Sequence, residues 1–194
     1  MLFVRRDAKT TTIEDARDKS KPPIILGATA EGGTSNDVAL LLIDTLGLNL
    51  KTIAGYRDSG TLFIAIENGE VDGRFVGISA VSSNKPEWLK PGGLLKAVVQ
   101  FARRTRHPDY ADVPTARELA PAGTPARQLI ELAEIPYMLS RPYAAPPGVP
   151  ADRAAALRAA FDATTRDKEF LVEAGKLGLD VSPVGAAEAM QMLD

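Results

Sequence analysis

The sequence predicts an α/β fold with a mostly parallel sheet and helices on both faces. Three observations carry it. Short apolar, β-branched runs alternate with helix-period segments from Leu2 to Ile135. The junctions between them carry glycine and small polar residues, as at TAEGGTS and RDSG. The strand-like runs, such as PPIILGA and LLKAVVQFA, are compact and apolar, and their alternation with helices argues for a sheet covered on both faces.

The elements follow in order. LFVRR opens as a strand, and Thr12 is placed to cap TIEDARDK, whose first turn is acidic where the helix dipole favours it. PPIILGA is a strand started by a proline pair. The loop TAEGGTS leads into the helix SNDVALLLIDTLGL, with Val38, Leu41, Leu42 and Thr45 on one side and Gly47 as its stop. LKTIAGY, RDSG, TLFIAIENGE and VDGRFVGI repeat the unit as strand, turn, helix and strand, with Asn68-Gly69 ending the helix. LLKAVVQFA is a further strand. DVPTARELA and TPARQLIELAEI are two short helices opened by paired threonine and proline.

The pattern changes near Ile135. PYMLSRPYAAPPGVP reads as a proline-rich extended stretch, because proline lacks the donor a central strand needs. ADRAAALRAAFDATTRDKEFLVEAGKLGL reads as strongly helical, LDVSPV as a last strand and GAAEAMQML as a last helix, with three helices expected in this part. Two units are expected, residues 1–136 and 137–194, the second incomplete by itself.

Composition excludes several kinds of chemistry. The 194 residues are 45% hydrophobic and 25% charged, ordinary values for a globular chain. Twelve basic and 12 acidic residues lie up to Ala97, and 11 and 13 from Val98 on, so neither half offers a phosphate-binding surface and no nucleic-acid partner is expected. With no cysteine there are no disulfides, thiolate metal sites or cysteine nucleophiles. His107 is the sole histidine, in the polar loop RRTRHPDYADVP, and is expected at the surface. Neither a metal site nor a cofactor is expected, and G-x-S-x-G is absent, so enzymatic turnover is not expected. The apolar run Val38 to Ile43 is far short of the ~20 residues of a membrane span. MLFVRRDAKTTT shows no apolar signal core.

Candidate binding residues sit on two strand-to-helix loops. Gly33 lets backbone approach a ligand, and Thr34 and Ser35 add hydroxyls beside helix N–H groups, which is an anion site or a plain capped turn. Tyr56, Ser59 and Gly60 occupy the same place in the next unit, with Arg57 either binding a carboxylate or facing solvent beside Asp58. Asp72, at the start of a strand, is expected to hydrogen-bond backbone.

The run GATAEGGTSND…TIAGYRDSGTLFIAIENGEVDGRF…DVPTARELA…YAAPPGVPADRAAALRAAF resembles the substrate-binding receptors of tripartite tricarboxylate transporters, the Bug family. Four blocks carry the likeness: the glycine-serine-type loop, the "GY…G…A…GEVD" block, Asp112-Val113-Pro114-Thr115, and APPGVP before an alanine-rich helix. The resemblance implies a type II periplasmic binding protein fold, with residues 1–136 as the second lobe and residues 137–194 as the crossover and return segment of the first. It places the ligand loops at Gly33, Thr34 and Ser35, and at Tyr56, Ser59 and Gly60. It further implies a small organic acid ligand, transporter subunits as partners and a periplasmic location, with the N-terminal part of the first lobe having no counterpart in this chain. Asn36-Asp37 departs from the family, where a histidine is common, and an inward-facing acid there would repel an anion. Two other expectations stand beside this one: a self-associating α/β module that no longer binds solute, and a small α/β enzyme. The exposed Tyr137 to Pro147 stretch would favour self-association.

Overall fold

The computed structural model describes residues 1–179 and 181–193. The chain divides into two compact units, Met1–Glu134 and Ile135–Asp194. In the first unit the strands are β1 (Leu2–Arg5), β2 (Ile24–Ala28), β3 (Leu50–Ala54), β4 (Gly73–Phe75) and β5 (Leu95–Val99). They form one sheet in the order β3-β2-β4-β1-β5. The connecting helices are α1 (Ile13–Arg17), α2 (Thr34–Leu46), α3 (Ser59–Asn68) and α4 (Ile78–Asn84).

β2 pairs in parallel with β3 and β4, but β1 runs antiparallel to both β4 and β5. Four strands therefore share one direction and the sheet is mixed, not wholly parallel. The reason lies in the next connection. A parallel neighbour needs a crossover of about a dozen residues or more back along the sheet. β1 instead ends at the edge where β2 begins, so the five-residue α1 suffices. Thr12 caps α1 by accepting the Asp15 N–H at 3.1 Å.

The helices α2 and α3 end as their glycines dictate. Gly47 takes the left-handed conformation (φ 67°) and closes α2 by donating to the Ile43 carbonyl. Beneath α3, a core of Phe3, Phe63, Ile66, Val71, Trp88 and Leu95 forms on one sheet face. Phe63 and Trp88 meet edge to face at 5.6 Å. Gly73 is where β4 crosses β1 most closely, since a Cβ there would stand 2.0 Å from the Phe3 carbonyl oxygen.

Several local expectations change. The strand expected over VDGRFVGI stops at Phe75, because Gly77 starts α4. His107, expected at the surface, keeps only 11% of its side chain exposed. A 3-10 turn, Pro108–Tyr110, folds Tyr110 against its ring, and Nδ1 accepts the Asp109 N–H.

After β5 come α5 (Ala116–Leu119) and α6 (Pro125–Met138). Thr115 and Glu118 form a capping box on α5. α6 continues through Pro136, where an extended stretch was expected, because proline near a helix end forfeits a single hydrogen bond. Within α6, Glu134 is fully buried, paired with Arg117, and accepts the N–H of Ala102 at 2.8 Å. That bond holds Ala102 at φ 60°, a left-handed position for a residue with a Cβ. Burial pushes the Glu134 carboxyl up against the pull of Arg117.

In the second unit the helices are α7 (Ala151–Thr164), α8 (Lys168–Lys176) and α9 (Ala186–Leu193). The helical segment from Ala151 divides into α7 and α8 at residues 165–167, where Asp167 caps α8 by accepting the Phe170 N–H. LDVSPV was expected as a strand. Among its described residues none is in a strand, since Pro183 lacks a donor and this unit offers no strand to pair with; Asp180 lies outside the described residues.

Candidate functional site

The chain order fixes where loops converge. β2 leads through α2 to β3 on one side, and α3 then carries the chain back to β4 on the other side of β2. Between β2 and β4 the winding reverses, and in open α/β sheets ligands bind at the carboxyl ends of such strands. The loop before α2 and the residues after β4 lie there. The loop before α3 stands beside them, tied in by a Tyr56 N–H to Ala28 carbonyl bond of 3.3 Å.

Gly33 is the N-cap of α2, with extended backbone and no side-chain cap. Its carbonyl accepts from the N–H groups of both Asn36 and Asp37. No acceptor meets the N–H groups of Thr34 and Ser35 among the described residues. This end of a 13-residue helix therefore presents open donors and the positive end of the dipole. Thr34 is exposed. Ser35 is buried, and its hydroxyl donates to the Phe75 carbonyl at 2.7 Å, locking α2 onto the end of β4. Asp37 is exposed, which leaves its charge in solvent.

The second loop is built differently. Asp58 caps α3 by accepting the N–H and hydroxyl of Thr61, and these bonds hold its carboxyl below the usual range. Ser59 and Gly60 lie exposed in that capped first turn. Arg57 is 90% exposed and faces Asp58 at 3.4 Å. Tyr56 is half-buried with its ring against Gly27, and burial raises its phenol pKa. The two predicted loops are thus adjacent, and they differ in that α3 has a side-chain cap and α2 has none.

Two residues near the site take roles of their own. Asp72, as expected, serves the backbone: its carboxylate accepts the Ile25 N–H at 2.7 Å. Arg74, absent from the sequence reading, is 6% exposed on β4. Its Nη2 reaches Ser35 Oγ at 3.5 Å and its guanidinium lies 5.6 Å from the Phe63 ring centre. Burial lowers its pKa. The signal in the sequence is an arginine set inside the apolar run of VDGRFVGI.

A separate groove of about 590 Å³ follows the outer edge of β5, lined among others by Arg6, Glu14, Lys96, Asp109 and Asp112. It shares no residue with the two loops, and its rim mixes both charges without converging donors. Among the described residues, no group of three or more histidine, aspartate or glutamate side chains is placed to hold a metal. Among the described residues, no helix is long and apolar enough to cross a membrane.

No protein-family model matches the chain, and no curated protein matches it. Solved structures do. A protein from R. palustris solved with adipate aligns with a TM-score of 0.57 at 20% identity, over 100% of this chain and 58% of its own. A TctC solute binding protein from Polaromonas gives 0.57 at 15% identity, over 99% and 61%. MatC from Rhodopseudomonas palustris, with bound malate, gives 0.54 at 24%, over 100% and 60%. The chain has the fold of these TctC- and Bug-type solute-binding proteins and spans about 60% of their length.

Proposed function

We propose that this chain is a binding module for a small organic carboxylate, of the Bug receptor type, and not an enzyme. The observation that carries the proposal is the uncapped N-terminus of α2 at the switch point between β2 and β4. Gly33, Thr34 and Ser35 supply backbone donors there, Tyr56 forms one wall, and Ser59 and Gly60 form the rim. Anion recognition needs only such donors and a helix dipole, not a metal or nucleophile. The fold likeness to proteins solved with adipate and malate supports the same ligand class. In this proposal residues 1–136 are the second lobe and carry the site, residues 137–194 are the crossover and return segment of the first lobe, and the protein serves a periplasmic tricarboxylate-type transporter. Thermal-shift screening against mono-, di- and tricarboxylates tests it. A ligand bound by the folded state raises the melting temperature by mass action. A saturable rise with at least one carboxylate is expected, and a flat response across the panel would overturn the proposal.

A further inference from the structure

We propose that Arg74 is the charged anchor of this site, seating a ligand carboxylate beneath the first turn of α2. The inference rests on the carboxylate-binding function proposed above and adds a residue and a charge requirement to it. Arg74 sits at the centre of the sheet, 6% exposed, with its Nε and Nη1 buried and without a hydrogen-bond partner. Those two nitrogens carry three of the five guanidinium N–H bonds. Among the described residues no carboxylate forms an ion pair with it. A buried cation in that condition is costly, and folded proteins pair such groups.

The neighbours do not satisfy it. The Phe63 ring offers a face but no lone pair. Ser35 Oγ accepts from Nη2 at a long 3.5 Å, and its own proton is committed to the Phe75 carbonyl. The missing partner is an acceptor with several lone pairs and a negative charge. A carboxylate fits the planar fork: its two oxygens can take parallel N–H bonds from Nε or Nη1 together with the second N–H of Nη2. Ser35 belongs to the turn of α2 whose backbone donors are open, so guanidinium and helix end address the same ligand group. A neutral amide of equal shape would leave the guanidinium's charge uncompensated.

The experiment is calorimetric titration of the full chain with adipate, malate and acetate, and with adipamide as the neutral counterpart. Wild type is compared with Arg74→Met, Arg74→Lys and Ser35→Ala. Wild type is expected to bind at least one of the acids, and adipamide undetectably. Arg74→Met should weaken the acid by about 10- to 100-fold, the worth of a charge-assisted bond, while its melting temperature in anion-poor buffer stays level or rises. Arg74→Lys should recover part of the loss, which separates charge from a folding defect. Unchanged affinity in a folded Arg74→Met, with wild type binding, overturns the anchor and leaves the solute-binding proposal intact. Equal binding of adipate and adipamide also overturns it. Failure of wild type to bind any of the acids overturns both.

Discussion

Replacing Gly33 with aspartate should separate stability from binding at the mouth of α2. Gly33 has φ −88° and ψ 150°, open to any residue, and α2 has no side-chain cap. A carboxylate at this position accepts from the free first-turn N–H groups and faces the positive end of the dipole. Those effects together contribute about 0.3–1 kcal/mol, offset in part by a new Cβ standing 3.2 Å from the Ala30 carbonyl oxygen. The expected result is a melting temperature unchanged or raised by about 1–4 °C. Binding moves the other way. The ligand loses the Thr34 and Ser35 donors, gross about 1.5–3 kcal/mol each, and meets a like charge. Even half of that sum is about 10-fold or more in affinity. Urea denaturation and calorimetric titration with adipate read the two effects separately. A variant that binds as tightly as wild type would refute the assignment of the ligand to this helix end.

Other substitutions probe the frame around the site. Gly73→Ala drives a Cβ into the Phe3 carbonyl at 2.0 Å and to 2.9 Å from Val4 Cα, so about 3 kcal/mol or more should be lost in urea unfolding; an unchanged midpoint would contradict the β1–β4 pairing. Ala102→Gly relieves a left-handed φ of 60°, worth about 1–2 kcal/mol, and loosens the unfolded chain by about 0.4–1, so a small net gain is expected and a loss would argue against that backbone. Arg106, with the Thr115 N–H, holds the Glu118 carboxyl down at about 2, against 4.5 as its ordinary value. Its stabilisation is therefore complete above pH 4.5 and is lost as the pH falls toward 2. With 45% of the side chain exposed the effect stays below about 1 kcal/mol, and acid titration of Glu118→Gln should show a shallower slope there.

What the sequence revealed was what local chemistry decides. Thr12, Gly47, Asn68-Gly69 and the Pro114-Thr115 pair mark helix ends because their effects span only a few residues. The continuous apolar run of Ile24–Ala28 marks a central strand for the same reason: both its faces are covered. The direction of β1 was not legible, because Leu2–Arg5 pairs with residues more than 60 positions away. α4 carries only a glycine cap and no apolar stripe long enough to announce a helix.

The site divides along the same line. That Gly33, Thr34 and Ser35 open a helix was visible locally. That α3 is closed by Asp58, and that Arg74 is sealed under α3 beside Ser35, depends on elements brought together by the sheet. An arginine in a strand reads as solvent-facing until its cover is known. His107 shows the converse, a polar loop residue half-buried by the turn that follows it.

Backbone amide NMR of the full chain during titration with adipate and malate tests the central claim most directly. A carboxylate held at the end of α2 should move the Thr34 and Ser35 amide protons downfield in a saturable way, with smaller shifts at Tyr56 and Phe75. Perturbations confined to Leu95–Val98 and Asp109–Val113, along the β5 groove, or none at any amide, would contradict it.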